Sequence, residues 1–533
     1  MKLITKFSFL VCLLVIGSCT KLDETEYLFD TVTSDNFYKT DAELASAVGA
    51  AYTTLYGIGG NNNVFPIAEV TSDEIVVPQR GADWGDGGHW VRLKLHTYKK
   101  DDPIINNCWN FGFTGVTTCN KLMVQLEKST SPKAAAYISE LKALRAIYYL
   151  WLLDWFGNVP ITTDFTNTDP PKNNTRAEVY AFVEKELKDN LGVLPKSGPG
   201  DGPTYGRVTY YVAYAALAKL YINAGVYTGT PQWDKAIAAC DEIINSAKFA
   251  LTLTHAENFV KDNQNSTEFL WAVPYDQVKA GGFNIPMMTL SYLSQSTYNI
   301  NAQPWNGFAS VQEFYQSYID PVQNPGPQDS VVGLSPTGAK VLGTVDKRLS
   351  NFLVGPQFAS NGTRLSDGGA DLTDPDGNPL TYTPYINELA PNAWRQSGAR
   401  INKWQFYTGM TQNLSNDYCI FRYADILLMK AECVARKNNN WADPISMAIV
   451  NQIRTQHGGV DPYATMTQQT FLAERGREMF AECWRRQDMI RFGTYNSAFR
   501  FHPADASTHV NIFPIPEPQL NANKNLVQNP GYQ

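Results

Sequence analysis

From Ala134 to Phe156 the chain contains neither glycine nor proline, and Leu141, Leu144, Ile147, Tyr148, Trp151 and Leu152 recur at helical spacing. Gly157-Asn158-Val159-Pro160 ends the run, because glycine admits a left-handed cap and proline cannot continue a helix. A helix this long and apolar needs helical partners to cover it. The chain supplies them. Asp41–Tyr56 reads as a helix capped by Asp41, with further helices at 105–126 and 178–191. Two helical hairpins follow, 210–224 with 234–247 and 423–437 with 444–456. Trp233 and Trp441 lie at their turns, and Pro444 fits a first helical turn. These spacings are similar to degenerate tetratricopeptide pairs.

Between about 250 and 418 the texture changes to Asn, Gly, Pro, Ser, Trp and Tyr, with few long helical patterns. So long an irregular stretch inside a folded body is usually functional, and its aromatic content argues against disorder. It reads as an elaboration that carries much of a binding surface. The fold class expected is all-α: tetratricopeptide-like helical pairs forming a right-handed scaffold, with a large loop-rich insertion. The expected divisions are a leader over 1–18, a tether over 19–40, a helical region over 41–250, the insertion over 251–417 and a second helical region over 418–533.

The leader has Lys2 and Lys6 before a short apolar run, Phe7 to Ile16, too short to span a bilayer. Gly17-Ser18-Cys19 resembles a bacterial lipobox, which predicts cleavage before Cys19 and lipid attachment at its thiol and amine. Thr20-Lys21-Leu22-Asp23-Glu24 resembles a surface-export signal of some Bacteroidetes lipoproteins. The formal charge of -7 becomes two units more negative when the leader's lysines are lost. An acidic chain without a basic stripe excludes nucleic acid as the expected partner.

Cys108, Cys119, Cys240, Cys419, Cys433 and Cys483 form no CxxC pair and no zinc-spaced cluster. They read as buried free thiols. The six His show no HExxH, and no nucleophile elbow appears. No catalytic residue, cofactor or metal is therefore expected, although a structural cation stays open.

Near the C-terminus stand three strings. Arg422 to Glu432 reads RYADILLMKAE, Glu474 to Gly493 reads ERGREMFAECWRRQDMIRFG, and Gln528 to Tyr532 reads QNPGY. Glu474, Glu478 and Glu482 lie one turn from arginines, which predicts a structural charged ladder beside an apolar stripe. In combination the strings resemble the SusD/RagB family of outer-membrane nutrient-binding lipoproteins, departing at Cys483, where the family usually has Gly. The lipobox, Leu141–Ala146 with Gly157–Ile161, and the hairpin over 207–249 extend the resemblance to nearly the whole mature chain. It implies four tetratricopeptide-like pairs and a SusC-like TonB-dependent transporter as partner. It also implies capture of oligosaccharide at the cell surface for import.

A sugar presents flat C–H faces and a rim of hydroxyls, which call for exposed rings and polar side chains. The best segment holds Asp73 and then Arg80, Asp83, Trp84 and Trp90 in a glycine-rich loop. The insertion adds Trp305, Trp394, Arg395 and Arg400. Asp83 with Asp86 could instead serve a glycoside hydrolase or lyase, which needs two carboxylates across the scissile bond. A lid that only gates the transporter, or one that binds peptide, would also be compatible with these features.

Overall fold

The computed structural model describes residues 40–200, 202–319, 346–367 and 379–533, with the backbone of 330–332 and 339–341. The leader, Cys19 and the tether lie outside the described residues. The long helices are α1 (Asp41–Tyr52), α2 (Pro103–Leu126), α3 (Ala134–Phe156), α4 (Arg176–Asn190), α5 (Tyr210–Ile222) and α6 (Trp233–Ile244). After the insertion come α7 (Tyr423–Lys437), α8 (Pro444–Ile453), α9 (Gln468–Met479) and α10 (Arg485–Phe492). They pack in tetratricopeptide-like pairs: α2 with α3, α3 with α4, α5 with α6, and α7 with α8, with α6 also lying against α7. No described helix is long and apolar enough to cross a membrane.

Local chemistry sets the ends. Thr40, rather than the expected Asp41, caps α1: its Oγ1 accepts from Glu43 N at 3.3 Å while Glu43 Oε2 accepts from Thr40 N at 2.8 Å. Asp41 instead pairs with Lys133 at 2.8 Å on the surface. Thr175 and Glu178 build the same reciprocal cap on α4, and Asp443 accepts from Ile445 N ahead of Pro444 on α8. Helix α3 stops at Gly157, whose φ of 68° suits glycine. Close approach of α2 to α3 depends on Gly115, where an added Cβ would lie 2.4 Å from the Tyr148 ring.

Helix α3 is buried nearly all round over its second half. Trp151 stacks on Trp271 with ring centroids 6.2 Å apart, which joins the helix to strand 269–273. That strand pairs antiparallel with Tyr418–Arg422, Tyr418 opposite Val273 and Arg422 opposite Phe269. The ladder brings the two ends of the intervening insertion side by side. Within the insertion, Phe283 and Trp404 pack edge to face at 4.9 Å, and its core is continuous with that of the scaffold.

The C-terminal strings form a structural charged network, as expected, but not a ladder along one helix. Helix α9 ends at Met479, and Glu482 lies in a turn between α9 and α10. Glu474, Arg475, Glu478, Glu482, Arg485, Arg486 and Asp488 are all buried. Arg422 donates to Glu478 at 2.7 Å and to Glu482 at 2.8 Å. Arg348 donates to Asp346, Glu474 and Glu478. Arg475 spans Asp425 and Asp488, and Arg491 spans Glu432 and Asp488. Apart from Lys430, which pairs with the partly exposed Asp241, the charged letters of the first two strings are thus an internal network in which each group is paired, as burial of charge requires. Gly476 belongs to the same construction, because a Cβ there would lie 2.7 Å from Arg485 Nη1. In the last string, Asn529 Nδ2 donates to the carbonyls of Phe156 and Phe513, both at 2.8 Å, and so fastens the tail to the end of α3.

The six described cysteines are unpaired, and all but the half-buried Cys483 are buried. Cys483 has φ 65°, which explains why glycine would suit this position.

Candidate functional site

Three loops meet around Arg80. Its guanidinium donates to the carbonyls of Asn306 at 2.7 Å, Gly307 at 2.9 Å, Ser397 at 3.0 Å and Trp394 at 3.1 Å. The main chain adds Gly81 N to the Pro391 carbonyl at 2.8 Å and Ala393 N to the Gln79 carbonyl at 3.0 Å. Arg80 is 3% exposed, and burial beside Arg400 draws its pKa well below the ordinary guanidinium range. The expectation that Arg80 meets a ligand is therefore corrected: its donors satisfy buried carbonyls that would otherwise lack partners.

Trp84 stands on this junction at φ 61°. Its Nε1 donates to the Trp305 carbonyl at 2.6 Å, and its ring packs against Trp90, Phe308 and Trp305 with centroids 5.4, 5.6 and 6.4 Å away. Gly307 makes room for it, because an added Cβ would lie 2.3 Å from the indole. Trp84 remains half-buried, whereas Trp305 is 37% exposed. Trp90 is a second correction. At 2% exposed, with Nε1 donating to Asp86 at 2.8 Å, it plugs the loop onto the core. Asp83 is exposed at the loop tip.

Two more expectations are corrected. Asp73 accepts both arms of the buried Arg485, at 2.7 and 2.8 Å, and so serves the internal charge network. Arg400 is fully buried, lies 4.7 Å over the Tyr382 ring and donates to the Arg395 carbonyl at 2.6 Å. Arg395 itself is half-buried and pairs with Asp367 at 3.0 Å. Trp394 is half-buried, with its ring 6.0 Å from that of Tyr385. Tyr385, 45% exposed, is the aromatic that sequence reading missed. Its signal was weak: a lone tyrosine after proline in an irregular stretch.

Two aromatic pairs, Trp84 with Trp305 and Trp394 with Tyr385, are carried by the loops that Arg80 joins, and together they form the candidate aromatic face. Such rings offer flat apolar surface with polar edges, and the stitched loops hold them at little further entropic cost.

Comparison with known proteins agrees with this architecture. Residues 267–532 match the family model described as "SusD family", and residues 22–222 match one described as "Starch-binding associating with outer membrane". The starch-binding protein SusD of Bacteroides thetaiotaomicron is 26% identical over 455 residues, covering 78% of this chain and 77% of its own. Surface glycan-binding protein A from Bacteroides uniformis superposes with a TM-score of 0.70 at 22% identity, covering 92% of this chain and 99% of its own. Its counterpart from Bacteroides thetaiotaomicron, solved in complex with laminarihexaose, gives 0.70 at 22% identity, with 92% and 100% covered. The helical pairs, the buried C-terminal strings and these matches together lead to one assignment: the chain belongs to the SusD family.

Proposed function

We propose that this protein is a cell-surface glycan-binding lipoprotein. It is anchored through Cys19 in the outer membrane and delivers oligosaccharide to a SusC-like TonB-dependent transporter. The observation that carries the reading is Trp305, an exposed indole whose carbonyl is held by the Trp84 indole N–H on a loop junction fixed by Arg80. Trp84, Trp305, Trp394 and Tyr385 would stack on sugar faces, with Asp83 and Arg395 at the rim. Two relatives support the ligand class: one is a starch-binding protein, and another was solved with laminarihexaose. The match of residues 22–222 to a family associating with the outer membrane supports the location. Binding is favoured over hydrolysis because Asp83 and Asp86 are both exposed. A glycosidase acid keeps its proton through an apolar enclosure, which an exposed carboxyl lacks.

Calorimetric titration against α- and β-glucan oligosaccharides and a peptide panel tests the proposal. Trp305→Ala and Trp84→Ala are expected to weaken glycan binding by about 10- to 100-fold, equivalent to about 1.4–2.8 kcal/mol. Gly307→Ala keeps every ring but pushes Trp84 aside, and should weaken binding by a similar factor with the protein still folded. Unchanged affinity in all three variants would remove the aromatic face from the mechanism. Binding of peptide alone would favour the peptide-binding lid, silence across the panel the gating lid, and cleavage products the hydrolase.

A further inference from the structure

His96, His502 and Asp505 come together outside the aromatic face, although about four hundred residues separate the first from the others. Each histidine has one ring nitrogen on a main-chain carbonyl: His96 Nε2 lies 2.8 Å from the Thr71 oxygen and His502 Nδ1 3.2 Å from the Lys94 oxygen. A carbonyl only accepts, so those two nitrogens carry the hydrogens. The opposite nitrogens, His96 Nδ1 and His502 Nε2, then turn toward Asp505 Oδ2, at 2.8 and 3.4 Å. His502 Nε2 is fully buried and has no hydrogen-bond partner. Its lone pair is aimed into the cluster with nothing to accept from.

We propose that His96 Nδ1, His502 Nε2 and Asp505 form a binding site for a first-row divalent metal ion, with zinc as the ion tested. All three donor atoms lie within 4.8 Å of one another. Tetrahedral zinc bonds of about 2.0–2.1 Å place neighbouring donors about 3.3 Å apart, and the two histidine nitrogens stand 2.8 and 3.4 Å from Asp505 Oδ2. The outer contacts match what metal-bound ligands require. Each imidazole is oriented by an N–H to a carbonyl, and Asn496 Nδ2 donates to Asp505 at 3.0 Å. Both histidine side chains are fully buried and the Asp505 side chain is 8% exposed, so the donors sit together out of bulk water.

The backbone around the site supports a role beyond packing. His96 has φ 53° and Phe501 φ 63°, conformations that L side chains rarely adopt. A tight turn, in which Phe499 and His502 exchange main-chain hydrogen bonds at 3.0 and 2.8 Å, presents His502. From that turn Arg500 donates to the Ile386 carbonyl at 2.8 Å, next to Tyr385. The metal would fasten residues 496–505 to residues 71–96 and brace the base of the insertion. This inference does not depend on the ligand proposed above.

The test uses the purified protein, stripped with a chelator and then titrated with Zn²⁺, with Co²⁺ as a spectroscopic probe. We expect one equivalent bound per chain, a rise in Tm on binding, and visible Co²⁺ absorption bands of a site with fewer than six ligands. His502→Gln and Asp505→Asn should abolish all three, while His509→Gln should leave them unchanged. Absence of stoichiometric binding, or binding that persists in both cluster variants, overturns the proposal. Should His502→Gln not fold, the isosteric Asp505→Asn decides alone.

Discussion

Replacing Glu478 with alanine is expected to cost about 3–5 kcal/mol of stability, the loss found when one partner of a buried ion pair is removed. Glu478 is fully buried and accepts from Arg348, Arg422 and His457 at 2.8, 2.7 and 2.8 Å. Burial alone would raise its pKa, but His457 and Arg422 outweigh that and hold the carboxyl well below the usual range. Without it, two guanidiniums and an imidazole share too few anions in a region that water does not reach. The loss is a large part of a typical folding free energy of about 5–15 kcal/mol. Urea unfolding measures it as a lower midpoint at constant slope. A variant within about 1 kcal/mol of the parent would show that the network contributes little net stability.

The second large effect is one of pH. Glu69 and Glu74 are both fully buried, Glu69 Oε1 accepting from Cys483 N at 2.5 Å and Glu74 Oε2 from Ala481 N at 3.2 Å. Their other oxygens, Glu69 Oε2 and Glu74 Oε1, have no hydrogen-bond partner, with Arg485 Nε 3.6 Å from the latter, and a proton shared between the two carboxyls relieves their repulsion. Burial pushes Glu69 up to about 7, and burial together with the Glu69 charge pushes Glu74 well above the carboxylate range.

A carboxyl with a raised folded pKa favours the folded state while it is protonated. Its contribution is complete below the unfolded value near 4.5 and is lost as pH rises through the folded value near 7. At about 1.36 kcal/mol per unit, Glu69 should reduce stability by about 3 kcal/mol across that window. Glu69→Gln keeps the acceptor for Cys483 N and supplies a permanent donor to Glu74. With the titration of Glu69 removed and that of the buried Glu74 retained, its stability should fall less steeply between pH 5 and 7 than that of the parent protein. Urea unfolding at four pH values compares the two proteins, and superposable profiles would sink the bridging-proton assignment.

Sequence reading succeeded where the cause was local. The bounds expected for α3 and α7 are the bounds observed, because glycine, proline and an asparagine run stop these helices within a few residues. The start of α1 failed narrowly: threonine and aspartate are adjacent, both cap well, and Glu43 is correctly spaced only for Thr40. At the aromatic face, composition pointed to the loops that hold exposed rings, yet Arg80, Arg400 and Trp90 turned inward, and the half-buried Asp73 turned to Arg485. Irregular loops packed together leave carbonyls that need donors, and a guanidinium supplies several at once. Nothing in the sequence distinguishes an arginine that stitches loops from one that meets a ligand. The ladder of Glu474, Glu478 and Glu482 was legible as structural. Its burial was not, because the partners Arg348 and Arg422 lie far away in the chain.

The wide spacing of these partners has a consequence in time. Asp73 waits for Arg485, Asp154 for Arg486, Lys219 for Asp425 and Glu268 for Arg422. A nascent chain that has emerged only as far as the insertion holds these groups without their counter-ions, and closing its core then would strand them in a dry interior. Closure of the body before its final helices are made is therefore disfavoured, and the contacts that complete it are long-range ones, which are slow to form. A chain that stops short of α10 therefore lacks the arginines that pair with Asp73 and Asp154, and its compact state is disfavoured to that extent.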